Sequence, residues 1–121
     1  MKIYISHSKD FDFQNELYQP IRTSALNTDH EITLPHEDSN SRHFNSKEYL
    51  PQCDLMIAEV SYPTTGTGIE LGWADAFEIP IICLHKKDVK PPGSTRVVCK
   101  KFIEYDSAKE LIDKISSEIK K

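Results

Sequence analysis

Residues 54–77 read D-L-M-I-A-E-V-S-Y-P-T-T-G-T-G-I-E-L-G-W-A-D-A-F. The first seven, Asp54–Val60, form a nearly unbroken apolar and β-prone run. That is the pattern of a strand buried on both faces, as in a parallel sheet. Ser61–Gly68 reads as a loop, and Ile69–Phe77 as the helix that follows it. A strand, a loop rich in threonine and glycine and a helix, in that order, make half of a βαβ unit.

The flanking sequence repeats the alternation. Upstream, Ile3, Tyr4 and Ile5 give a strand over Lys2–Ser6. Ser8 or Asp10 is placed to cap a helix whose apolar side carries Phe11, Leu17, Ile21 and Ala25 or Leu26. Pro20 interrupts that helix, so a kink or two short helices are expected. His30–Leu34 reads as a second strand closed by Pro35. Residues 36–46 are a polar loop, and a short helix near Ser46–Leu50 stops before Pro51. Downstream, Ile79–Leu84 is a strand, Lys86–Ser94 a loop with Pro91, Pro92 and Gly93, and Lys101–Tyr105 an edge strand. In the last helix Ser107 and Glu110 fit a capping box, and Ala108, Leu111, Ile112, Ile115 and Ile119 form one apolar stripe.

Strands alternating with helices imply a parallel sheet covered on both faces by right-handed crossovers. The expected fold is α/β: a flavodoxin-like three-layer sandwich with a five-stranded parallel sheet in the order 2-1-3-4-5. In that topology ligands bind at the carboxyl ends of strands one and three. This directs attention to Ser6, His7 and Ser8, and to Ser61–Gly68.

The chain of 121 residues is read as one domain, 1–121. Its 15 basic and 19 acidic residues give a net charge of −4, which argues against a nucleic-acid polymer as partner. The apolar runs fall far short of the ~20 residues of a membrane span. The chain opens directly on a strand pattern, and a cytoplasmic location is expected. Cys53, Cys83 and Cys99 are widely spaced with no C-x-x-C, and are read as reduced thiols. His7, His30, His36, His43 and His85 lack metal-ligand spacing, so no metal or cofactor is expected.

Within Thr64–Gly68, glycines permit close backbone approach and the helix start supplies N–H donors for an anion. No lysine follows the second glycine, so the pattern is not a Walker loop. A simple turn and helix cap accounts for the same residues. Glu70 has two readings as well. Thr67-x-x-Glu70 matches a capping box. Alternatively, the carboxylate points into the crevice, where it can attack an anomeric carbon.

The stretch A-E-V-S-Y-P-T-T-G-T-G-I-E-L-G-W-A, Ala58–Ala74, resembles the nucleoside 2-deoxyribosyltransferase family, most closely its 2'-deoxynucleoside 5'-phosphate N-hydrolases. Lys2–Ser8, Leu50–Asp54 and Ile79–His85 resemble the flanking strands. The resemblance implies an enzyme that cleaves or transfers the N-glycosidic bond of deoxynucleosides or their 5'-monophosphates. It implies Glu70 as nucleophile and Tyr4 as its assistant near sugar and base. Thr64 and Gly66 would bind the 5'-phosphate, with Gly68 in the same loop. His36 would line the base pocket, and Ser94 would reach the phosphate of a neighbouring subunit in a homodimer. A family aspartate maps to Ser46; Asp38 or Glu37, in the preceding loop, is the carboxylate placed to substitute. Asp54 is read as structural, and Trp73 as core or dimer interface. Two other readings stand beside this one. Y-I-S-H-S-K-D-F at the start also resembles TIR domains, some of which cleave NAD. A nucleotide sensor without catalysis would keep the phosphate loop alone.

Overall fold

A computed structural model of the chain describes residues 1–37 and 44–120. Five strands, β1 (Lys2–Ser6), β2 (Glu31–Thr33), β3 (Leu55–Glu59), β4 (Ile81–Lys86) and β5 (Lys101–Tyr105), form one sheet. All its pairings are parallel and its order is β2-β1-β3-β4-β5. This is the expected flavodoxin-like α/β arrangement, with β5 at an edge.

The period-two alternation of the strands sorts side chains to two faces. Ile3, Ile5, Leu55, Ile57, Ile82, Leu84 and Ile103 pack one way, against Leu17, Ile21, Leu26, Leu111 and Ile115. Those partners come from α1 (Gln19–Arg22), α2 (Ala25–Asp29), α6 (Ala108–Ile119) and a π-helical turn at Gln14–Tyr18. Tyr4, Met56, Ala58 and Cys83 pack the other way, with Leu50, Leu71, Ala74 and Cys99. That layer is built from α3 (Ser46–Tyr49), α4 (Thr65–Ala76) and α5 (Thr95–Val98). The three cysteines are free and buried.

Several boundaries differ from the sequence reading. No helix starts at Ser8 or Asp10; the Ser8 hydroxyl instead accepts from Asp10 N at 2.8 Å and holds a tight turn. Pro20 lies inside one helical stretch, since the π-helical turn runs straight into α1, and the chain splits into two short helices at Thr23 and Ser24, between α1 and α2. β4 begins at Ile81 and not Ile79, because Pro80 has no N–H to donate and contributes only its carbonyl to Met56 N. Pro51 lies in a 3-10 turn, Leu50–Gln52, continuing from α3. In α6 Ser107 is the N-cap, but Glu110 returns its bond to Asp106 N and not to the cap's own amide. Asp54 is structural: its carboxylate accepts from Lys2 N at 2.7 Å and ties β1 to the start of β3.

The correction with most bearing on function concerns α4. It begins at Thr65, four residues before the expected Ile69. Thr64, in extended conformation, is the N-cap, and its hydroxyl accepts from Thr67 N at 3.4 Å. The second half of the expected loop, Thr65–Gly68, is therefore the first turn of a helix, and the Thr67–Glu70 capping box does not form. Two glycines, Gly66 and Gly68, misled the reading, since each is unfavourable in a helix interior by ~1 kcal/mol relative to alanine.

Candidate active site

With the cap one turn upstream, Glu70 lies in the second turn of α4 and has no capping duty. Its carboxylate leans back over the sheet and meets two hydroxyls from β1. Tyr4 Oη donates to Oε2 at 2.7 Å, and Ser6 Oγ donates to Oε1 at 2.6 Å. Tyr4 and Ser6 are two apart on one strand and so share a face. Both are buried, whereas Glu70 is half-buried at the crevice. Burial, and then the adjacent Glu70 charge, push the Tyr4 phenol far above its ordinary range, so it remains a proton donor. Ser46, also buried, brings its hydroxyl to the Tyr4 phenol. The position that the resemblance gives to an aspartate thus lies beside the Tyr4–Glu70 pair.

The N-terminal turn of α4 opens at the same end of the sheet. The amides of Thr65 and Gly66 have no intrahelical partner, as in the first turn of any helix, and carry the positive end of the helix dipole. A Cβ added at Gly66 or Gly68 would meet nothing within 4 Å, so both backbones face open space. Thr64, Thr67 and Gly68 line a cavity of about 180 Å³ with Pro63, Pro92 and Ser94. Ser94 therefore borders the cavity at the start of α4 within its own chain.

His7 and His36 lie near Glu70, whose charge acts on both. The sites of protonation on His7 follow from its partners. Nδ1 faces Ser8 O at 2.7 Å and must donate, so Nε2 accepts from Tyr18 Oη at 2.6 Å. Tyr18 Oη in turn accepts from His36 N at 2.9 Å. Burial, chiefly, holds His7 neutral, with a pKa lowered to about 4. Both its nitrogens are taken by protein, which leaves it an aromatic wall and not a polar ligand. Its ring packs against Phe13 at 4.7 Å and edge-on against His36 at 5.4 Å. His36 is half-buried, with its basicity lowered by burial and by Lys9. Asp38, the expected substitute carboxylate, lies outside the described residues. Glu37 is exposed and engaged by Arg22 at 2.8 Å.

Sequence reasoning missed one buried acid close by. Glu59, at the end of β3, is 1% exposed. Its Oε1 accepts from Ser61 N at 2.5 Å and its Oε2 from the Tyr105 hydroxyl. Ser61 Oγ accepts from Lys86 N at 2.7 Å. The exit of β3 toward α4 is thereby fastened to β4 and β5. A glutamate inside an otherwise apolar strand run was the available signal. No group of His, Cys, Asp and Glu among the described residues is arranged to hold a metal, and no helix among them is long and apolar enough to cross a membrane.

No protein-family model matches the chain. Among curated proteins, one of Syntrophotalea carbinolica, whose name assigns it as a 2'-deoxynucleoside 5'-phosphate N-hydrolase, is 38% identical over 66 residues. That alignment covers 52% of this chain and 46% of the relative. The human 5-hydroxymethyl-dUMP N-hydrolase is 43% identical over 56 residues, covering 46% of this chain and 29% of the relative. The chain thus matches less than half the length of either. Among solved structures, a Clostridium botulinum CMP N-glycosidase superposes with a TM-score of 0.68 at 21% identity, over 96% of this chain and 99% of the other. A conserved protein from Enterococcus faecalis gives 0.69 at 18% identity, over 98% of each. At such identities these two show that the fold is shared. The sequence matches bear out the resemblance read from Ala58–Ala74: the chain is similar to the 2'-deoxynucleoside 5'-phosphate N-hydrolases of the nucleoside deoxyribosyltransferase-like family.

Proposed function

We propose that the protein cleaves the N-glycosidic bond of a nucleoside 5'-monophosphate, in the first place a 2'-deoxynucleotide, and releases the free base. The observation that carries this reading is the carboxylate of Glu70, freed from capping and held on both oxygens by Tyr4 and Ser6 at the rim of the ligand crevice. The relatives named as N-hydrolases support the bond and the substrate class.

In this reading the 5'-phosphate rests on the first turn of α4. The Thr65 and Gly66 amides, the Thr64 hydroxyl and Ser94 surround it, and the helix dipole favours its charge. The sugar then lies over Glu70. A carboxylate oxygen forms a bond to C1' as the C1'–N bond breaks, and the base leaves with the electron pair and takes a proton from water. Water next attacks C1', giving its proton to Glu70 as the ester bond breaks, and the sugar phosphate departs. Tyr4 and Ser6 hold the carboxylate in its attacking position throughout. His7 and His36 form the wall on the base side. Asp38 is the proposed additional carboxylate, in place of the acid that Ser46 lacks. A second base in place of water would turn hydrolysis into transfer.

The test is incubation with dNMPs, NMPs, deoxynucleosides and NAD, followed by chromatography for released base. Base from dNMPs, and little from deoxynucleosides, is the expected result. Nicotinamide from NAD alone, or nucleotide binding without turnover, overturns the reading.

A further inference from the structure

Phe44 is 38% exposed, yet its ring is mounted firmly. It lies nearly parallel to Tyr4, at 11° with centroids 5.8 Å apart, and Tyr49 is tilted against it at 5.4 Å. Tyr49 is itself fixed, since its hydroxyl and Thr33 Oγ1 hydrogen-bond at 2.6 Å. Tyr4 is 1% exposed and holds Glu70 through its hydroxyl. An open aromatic surface is therefore built onto the residue that positions the candidate nucleophile. A planar group attached to the atom that Glu70 attacks would have to lie within about a ring's width of that carboxylate. Among the described residues, Phe44 is the exposed aromatic ring joined to Glu70 through a single residue, Tyr4.

We propose that Phe44, backed by Tyr4 and Tyr49, is the platform on which the nucleobase stacks. The proposal rests on the N-glycosidase reading for the identity of its ligand and deepens it by naming the base subsite. Every base has a π-face, so such a platform supplies affinity without selecting among bases. Discrimination would fall to groups at the base edge.

The experiment reads binding rather than turnover. Isothermal titration is run in the Glu70→Gln background, which on this reading binds without cleaving, alone and with Phe44→Ala or Phe44→Tyr, using dAMP, dCMP and 2-deoxyribose 5-phosphate, with melting temperatures recorded. Phe44→Ala should weaken both nucleotides five- to hundred-fold, about 1–3 kcal/mol. It should leave the base-free sugar phosphate within two-fold, and Phe44→Tyr should restore nucleotide affinity. If Phe44→Ala does not fold, Phe44→Leu, apolar but without a ring, is judged on the same terms. Equal weakening of all three ligands would mark Phe44 as structural and overturn the platform; so would no weakening of any. A wild type that releases no base, together with the base-dependent pattern, retires the glycosidase reading and keeps the platform. A wild type that releases base, with Phe44→Ala unchanged in nucleotide affinity, retires the platform alone.

Discussion

Tyr4 and Glu70 are 66 positions apart in sequence, and the phenol of one donates to the carboxylate of the other at 2.7 Å. Ser6 completes the grip on the second oxygen at 2.6 Å. The carboxylate of a residue on α4 is thus positioned by β1, the strand between β2 and β3. A cap would bind backbone amides of its own helix, and Glu70 binds none of them.

Glu70→Gln separates positioning from chemistry. The amide keeps an acceptor for one β1 hydroxyl but lacks the charge needed to attack C1'. Base release is expected to fall by at least a thousand-fold, while nucleotide binding stays within a few-fold and the melting temperature moves by only a few degrees. An active wild type and an equally active Glu70→Gln protein would remove the mechanism.

Tyr4→Phe takes one anchor from the carboxylate. A hydrogen bond to a charged group contributes about 1.5–3 kcal/mol, so kcat should drop roughly ten- to hundred-fold if that bond serves the transition state. Ser6→Ala should act in the same direction. Single-turnover rates check both, because product release cannot mask a slower chemical step there. Unchanged rates in both variants would leave the grip without a catalytic role.

Strand order was legible because the five runs of β-prone residues and the intervening helical stripes obey different periods, and five strands alternating with helices suggest the flavodoxin-like order. The pairing of Tyr4 with Ser6 was legible in principle from their spacing of two, but nothing local says that Glu70 meets both. The start of α4 was misread because Gly66 and Gly68 argue locally against a helix. Tertiary packing of Leu71 and Ala74 against β3 and β4 overrides that preference. α5 was missed because four residues carry too little pattern to register. The link from Glu59 to Tyr105 spans 46 residues, and only the folded sheet brings the two together.

Glu59 offers a stability test away from Glu70. Glu59→Gln retains one acceptor and one donor and should keep most of the stability. Glu59→Leu leaves the Tyr105 hydroxyl and the Ser61 amide unsatisfied in the core, at about 1–3 kcal/mol each. Denaturant midpoints for the two variants should differ clearly. Equal stability would mean that the buried bonds contribute nothing net.

The outward side of α4 carries Ile69 at 47% and Phe77 at 37% exposure, with half-buried Trp73 between them. Spaced four apart, the three lie along one side of the helix. A second copy of the chain is expected to cover this stripe and form a homodimer. Light scattering at assay concentration checks it, and Ile69→Lys should shift the mass toward the monomer. A monomeric wild type refutes the expectation.

The last prediction concerns acid stability and follows from His7. Burial is the main cause of its low pKa, with the positive field of Lys9 and the His36 ring adding to it. The Ser8 carbonyl and Glu70 oppose the shift. The value falls from 6.5 to about 4. Because the folded pKa is depressed, the unfolded chain binds the proton more readily between those two values. Stability from the neutral ring is therefore complete above pH 6.5 and is lost as the pH falls toward about 4. The whole loss is on the order of 3 kcal/mol. Below the lower value both states are protonated and the slope from His7 vanishes. Carboxylates titrate in part of the same window, so wild type alone cannot isolate the effect. The measurement is urea unfolding at pH 7.5, 5.5 and 4.5 for wild type and His7→Gln. Glutamine can donate to Ser8 O and accept from Tyr18 Oη, but it does not titrate. Wild type should lose more stability than the variant between pH 7.5 and 4.5. Parallel losses would show that the ring takes up its proton as easily in the fold as in the unfolded chain. Burial of the ring would then not be what keeps it neutral.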